Sequence, residues 1–427
     1  MKASRFSLLA LFLIVSAAVA VNASDQASAP GRSSFQAVTQ LIAQQAELTG
    51  SDTQQYSYLG TAVAVSGTTI VVGSPGINDG NGNFVPGVAY VFVKPASGWQ
   101  NMTQVAKLTA SDGGSEPGAN FGQSVAISGN TIVVGSNFKE AYVFVKPRSG
   151  WADMTETARL GSTLDTCLCG GVAIDGNTVV VGSPDDPKNF GSAFVFVKPA
   201  SGWQSTTHSN ATLKQSVQQV EDQSFSSVAI SGDTIVGVGI AHGKTTVRAV
   251  LLFTKPAGGW RGHLTETAKL SSTQSLAYFT AGLSVSGNTV VAGSPSPNQN
   301  FPPAFVDVWV QPASGWTNMT ETAQLSNGNT TYFDEFGIST VIVGDTILVG
   351  TPFREPRTDQ FRGVAYVFVK PVGGWKTTSK FNAVLRDSTG TDDGFGSSVA
   401  LSAGTMVVGA PYGPNRSDVG AAYVFGK

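Results

Sequence analysis

The chain has 427 residues, of which 50 are glycine and 13% are charged, and its formal net charge at pH 7 is −2. So small a net charge leaves no electrostatic basis for binding nucleic acid or an anionic membrane surface. The low charged fraction fits a chain whose strands are buried on both faces.

At the N-terminus, Lys2 and Arg5 precede an apolar run from about Phe6 to Val19. Small residues follow, with Ala18-Val19-Ala20 or Val21-Asn22-Ala23 as cleavage frames. Residues 1–23 therefore read as a secretory signal peptide, the run being too short to span a bilayer. Residues 24–41 are a Ser/Ala/Gln-rich linker, either a loose tether or a short helix around Phe35–Ile42. No later segment approaches ~18 consecutive apolar residues. The mature chain is expected to be exported, secreted or at the cell surface, with no membrane insertion.

From residue 42 to 427 one pattern recurs. Its clearest copy is Phe121-Gly122-Gln123-Ser124-Val125-Ala126-Ile127-Ser128-Gly129-Asn130-Thr131-Ile132-Val133-Val134-Gly135. Two β-branched runs joined by a Ser-Gly-Asn-Thr turn predict a hairpin. Ala141-Tyr142-Val143-Phe144 is a third strand and Thr157-Ala158-Arg159-Leu160 a fourth. The first turn returns at Gly67, Gly129, Gly176, Gly232, Gly287, Gly344 and Ala403, a mean period of 56 residues over six intervals. Third strands number seven as well. Fourth strands, ending at Leu108, Leu160, Leu213, Leu270, Leu325 and Leu385, number only six.

The seventh stands at the other end of the chain. Ala46-Glu47-Leu48-Thr49-Gly50-Ser51-Asp52 matches Ala106-Lys107-Leu108-Thr109-Ala110-Ser111-Asp112. Pairing that strand with the incomplete last repeat closes a ring and removes two edges. The expected fold is all-β: a seven-bladed β-propeller of four-stranded antiparallel blades, its last blade closed by an N-terminal strand. Six tryptophans, Trp99, Trp151, Trp203, Trp260, Trp316 and Trp375, mark the six covalent turns between third and fourth strands. Fourth strands carry Glu156, Glu266 and Glu321, read as structural charge guarding an open outer edge.

Cys167 and Cys169 form a lone Cys-Leu-Cys. A disulfide is permitted in an exported chain, and two thiols fall short of a metal site by themselves. Buried or loosely paired cysteines are preferred over a redox role. The three histidines, His208, His242 and His263, show no ligand spacing, and no catalytic array is present.

Phe-Gly precedes the first strand at Phe121-Gly122, Phe336-Gly337 and Phe395-Gly396. The second strand ends in Gly409-Ala410-Pro411, Gly73-Ser74-Pro75, Gly182-Ser183-Pro184, Gly293-Ser294-Pro295 or Gly350-Thr351-Pro352. The chain after residue 42 thus resembles FG-GAP repeat proteins, the family of the integrin α-subunit N-terminal propeller, in a bacterial-type secreted form. Leu168-Cys169 and Ile235-Val236-Gly237-Val238-Gly239 depart from the motifs, so those two blades are expected to be less regular. The resemblance implies adhesion or protein binding, and sometimes calcium. Here the hairpin between strands one and two is too short to wrap an ion that needs six to eight oxygens. Asp79, Asn81 and Asn83 have alternating ligand spacing, and Asp392 with Asp393 more loosely, but an ordinary Asn/Asp/Gly loop is preferred. No cofactor is expected, and calcium is not expected to be required.

Two loop classes are nearly constant, the Ser-Gly-Asn-Thr turn and the Lys-Pro-x-x-Gly-Trp turn. The loops from strand two to three and from strand four to the next blade vary. Strand alternation puts both variable classes on one face, where repeat folds commonly bind. Candidate ligand-face residues are Phe84, Asp185, Asp186, Lys188, Arg354, Arg357, Asp359, Arg362, Tyr412 and Arg416. A non-enzymatic binding or adhesion module for an extracellular protein or glycan is the first reading. A structural matrix or envelope component is the second, and a glycan-active propeller enzyme the third. The first strands offer Val, Ala, Ile, Leu and Ser toward the axis rather than the carboxylates an enzyme would need.

Overall fold

The structure is a computed structural model. It describes residues 40–76, 85–112, 119–137, 140–163, 167–184, 190–218, 224–241, 247–274, 279, 282–296, 303–328, 335–353, 363–388, 393–413 and 417–426. Among these residues all regular structure is β.

The strands form seven separate sheets. In blade 2, Ser124–Ser128 pairs antiparallel with Thr131–Gly135, which pairs with Glu140–Val145, which pairs with Ala158–Gly161. The other blades repeat this meander. Each innermost strand adjoins the innermost strand of the next blade, and Ser398–Ser402 of blade 7 adjoins Ala62–Ser66 of blade 1. The ring is therefore closed, and the molecule is a seven-bladed β-propeller.

Closure follows the sequence expectation. Gln44–Thr49 pairs antiparallel with Ala421–Gly426, supplying the fourth strand of the last blade. The propeller starts slightly earlier than the linker boundary at residue 41. Gln40–Leu41 is a short strand, parallel to Ala383–Val384 of blade 6, while the rest of the expected linker and the signal peptide, residues 1–39, lie outside the described residues.

Packing lies between blades rather than within them. Seven apolar clusters are present, one per junction. Alternate residues of one strand serve opposite junctions: Ile70 and Val72 pack between blades 7 and 1, Val71 between blades 1 and 2. This is why inner strands are apolar at consecutive positions. A tryptophan sits in six of the clusters.

The glycines of the two motifs mesh at four junctions, Gly73 with Gly122, Gly293 with Gly337, Gly350 with Gly396 and Gly409 with Gly60. Gly122 has φ 96°, a left-handed conformation, and its amide donates to the Gly135 carbonyl at 3.0 Å. Its own carbonyl lies against Gly73 of the preceding blade, where a Cβ would come within 1.9 Å of it. The phenylalanine beside it, Phe121, is fully buried against Tyr142 and Phe144.

Both blades expected to be less regular are regular. Blade 3 retains four paired strands. In blade 4 the missing proline has the opposite effect to irregularity. Thr234–Ala241 and Val247–Thr254 run eight residues each and stay in register throughout. Where a proline is present, at Pro75, Pro184, Pro295, Pro352 and Pro411, the second strand stops immediately before it, because proline has no N–H to donate.

Candidate functional site

The constant turns are occupied in holding blades together. On the inner rim, the hydroxyl of the last first-strand serine accepts the amide of the next blade's turn glycine. Gly129 donates to Ser66 at 3.1 Å, Gly176 to Ser128 at 3.0 Å, Gly287 to Ser231 at 3.2 Å and Gly344 to Ser286 at 3.0 Å. Gly67 donates to Ser402 at 3.3 Å, which carries the ring across the closure.

On the outer rim, the segment after each Trp turn crosses to the preceding blade and adds a short parallel stretch to its fourth strand. Met102 pairs with Leu48, Met154 with Leu108 and Met319 with Leu270. Two residues on, a side chain grips the end of that strand. Glu156 accepts the Ser111 amide at 2.9 Å and its hydroxyl at 2.5 Å. Glu266 does the same to Ser216, and Glu321 to Thr273. Gln104 serves Ser51, and Gln44 of the N-terminal segment accepts the Ser388 amide at 3.0 Å. The recurring glutamate is therefore structural, as expected, but for a different reason. It is a nearly buried clamp between blades, and no open edge remains where it stands.

A second polar tie runs through the third strands. The Tyr90 hydroxyl donates to Asp52 at 2.6 Å, and Asp52 also pairs with Lys107. Tyr142 and Arg159 share Asp112 in the same way one blade on. Cys167 and Cys169 are joined to each other, their Cα atoms 5.1 Å apart.

On the variable-loop face, Tyr412 is the candidate that the structure describes. Phe84, Asp185, Asp186, Lys188, Arg354, Arg357, Asp359, Arg362 and Arg416 lie outside the described residues, as do the calcium candidates Asp79, Asn81 and Asn83 and also Asp392. Tyr412 is half-buried. Its ring meets Tyr58 edge-on at 6.2 Å and stacks with Phe353 at 6.3 Å. The Tyr58 hydroxyl bonds to the Asp418 carboxylate, and burial with that negative neighbour pushes the phenol up. Three blades thus contribute one aromatic ring each to a single patch.

Sequence reasoning missed Tyr58, though repeat alignment carries the signal. It stands before Leu59-Gly60, where other repeats have Asn120, Glu335 and Gly394, and all four are left-handed, Tyr58 at φ 52°. Asp393 is wholly buried. Its carboxylate accepts the Phe395 amide at 3.0 Å and the Tyr423 hydroxyl at 3.4 Å, so its oxygens serve the fold. Burial, with the negative charge of Asp387 nearby, pushes it up to about 7. Among the described residues no group of three or more His, Cys, Asp or Glu could hold a metal ion. Nor is any helix there long and apolar enough to cross a membrane.

These ladders and the closed inner ring define an all-β propeller of seven blades. The family model described as FG-GAP repeat matches residues 42–92, 102–152 and 375–425. FG-GAP repeats are thus recognised in three stretches of the chain, and the seven-bladed ring is consistent with the integrin-α-like propeller its motifs resemble. No curated protein matches the sequence. Among solved structures, the crystal structure of the computationally designed Ika8 protein is similar at 16% identity and a TM-score of 0.49. That alignment covers 90% of this chain and 99% of the designed one. The fold rests on the strand ladders and not on that likeness.

Proposed function

We propose that this propeller is a secreted or cell-surface binding and adhesion module, not an enzyme, with its ligand face on the variable-loop side. The observation that carries the reading is a contrast between positions equivalent in the repeat. On the constant side, the recurring serines and glutamates are consumed by inter-blade bonds, which explains their recurrence without a ligand. On the loop side the residue after the Gly-x-Pro motif is Gly76 or Ser296 in some blades and Phe353 or Tyr412 in two adjacent ones. The scaffold does not demand those rings, and a rigid ring presenting them lowers the entropic cost of binding. An extracellular protein or glycan is the partner class, bound without a required calcium ion.

The test is a glycan and extracellular-protein array with the purified chain, with and without chelator. Against the ligand so found, Arg354, Arg357 and Arg362 are replaced together by alanine, beside a matching set in the constant turns. The loop variant should lose capture while its melting temperature changes little, as exposed loop changes usually do. Equal loss from both sets, or loss only from the constant set, would refute the assignment.

A further inference from the structure

The outer side of most junctions is plugged by one apolar residue facing the last leucine of the preceding blade. Met102 faces Leu48, Met154 faces Leu108, Met319 faces Leu270 and Leu264 faces Leu213. Each packs against its inter-blade core, and Ile42 packs in the same way at the junction of blades 6 and 7.

At the junction of blades 5 and 6 the crossing segment departs from this pattern at three positions, and its apolar contact with the core comes instead from Phe381, whose ring lies 4.7 Å from Tyr366 and 6.5 Å from Phe368. Thr378 is the partner of Leu325, a short polar residue in the place of the methionine. Two residues on, Lys380 replaces the clamp glutamate, and Gly328 replaces the serine or threonine that the clamp would grip. A cavity of about 340 Å³ opens at this point, within the size range of small-ligand sites. Leu325, Phe368 and Trp375 supply its apolar surface, and all three are buried. The Trp375 indole Nε1 is buried with no hydrogen-bond partner among the described residues, as it is in four other blades. Exposed Lys376 and Lys380 also line the cavity, and neither has an ion-pair partner among the described residues. Blade 3 also has threonine at the plug, Thr206 opposite Leu160, but Gln204 and His208 stand where these lysines do.

An apolar floor beneath two unpaired cations selects for a ligand that is apolar at one end and anionic at the other. We propose that this pocket binds a small aromatic carboxylate, its ring in the place of the missing methionine and its carboxylate between Lys376 and Lys380. The site lies on the outer rim, apart from the loop face, so either reading can fail without the other.

The experiment is calorimetric titration of the full chain with phenylacetate and with neutral phenylacetamide. Phenylacetate should bind saturably and more weakly as salt is raised, and the amide should bind roughly tenfold more weakly. Replacing Lys376 and Lys380 together by alanine should bring phenylacetate down to the level of the amide. Thr378→Met should restore the plug, raise the melting temperature and abolish binding of both. Absence of saturable phenylacetate binding in the millimolar range would overturn the proposal, as would wild-type binding by either variant. Should Thr378→Met fold poorly, the lysine pair alone decides.

Discussion

Asp307 shows how far one residue can depart from its repeat. Its place in the third strand is held by Tyr90 and Tyr142 in blades 1 and 2, whose hydroxyls reach out to a carboxylate. In blade 5 the carboxylate is on the strand itself and is fully buried. Burial raises it to about 7, hydrogen bonds from Ser272 and Gln324 pull it partly back, and its Oδ2 has no hydrogen-bond partner among the described residues. The folded value lies above the unfolded one, so the fold favours the protonated form. Stability from this group is then fully present below about 4 and declines as pH rises to about 7. In Asp307→Asn the titration is gone. The melting temperature of the wild type minus that of the variant should therefore fall between pH 5 and pH 8, with the variant gaining relative stability at the alkaline end. Asp393 still titrates in both proteins, so the difference rather than the slope is the readout. Parallel curves would rule out a buried titrating Asp307.

At the scale of the element, the fourth strand is not an edge in need of charge. It is the middle of a joint, with its own third strand on one side and a segment of the next blade on the other. Glu266 is the test case, since its carboxylate accepts both the amide and the hydroxyl of Ser216 and pairs with Lys269 at 3.2 Å. Glu266→Ala leaves a donor without its acceptor and should cost about 1–3 kcal/mol in denaturant unfolding. Glu266→Gln should recover most of that loss, because Gln104 and Gln44 already do this work at two other junctions. If the glutamine variant is no better than alanine, the contribution comes from charge and not from the clamp.

For the whole molecule, the one junction without a covalent turn is held by the N-terminal segment. Gln40–Leu41 lies on blade 6, Ile42 packs in the core between blades 6 and 7, Gln44 clamps Ser388 and Gln44–Thr49 completes blade 7. Ten residues thus reproduce what a Trp-turn crossing and a fourth strand do elsewhere. The family repeat is framed the same way: residues 102–152 hold the fourth strand of blade 1 and the first three strands of blade 2. Removing the chain up to residue 49 should expose the edge of Ala421–Gly426, uncover buried Ala46 and Leu48 contacts and lower the melting temperature sharply, by several kcal/mol in stability. A synthetic peptide covering 40–52 should restore part of it in trans. An unchanged melting temperature in the truncated protein would refute this closure.

The repeats alone determined the number of blades, the strand order within them and the identity of the closing strand. Each is a local pattern counted seven times, and Leu48 is recognisable because it stands in the same frame as Leu108. Periodicity does not record what one blade does to the next. That Glu156 would reach Ser111, that Ser66 would meet Gly129 and that Gly73 must leave room for the Gly122 carbonyl depend on two blades being laid side by side. The aromatic patch of Tyr58, Phe353 and Tyr412 is of the same kind, gathered from residues up to 354 positions apart. So is the pocket at Thr378, which is visible only against the apolar residues that fill most of its counterparts. In a ring of blades the core lies between repeats, and only the closed tertiary structure decides which side chains share it.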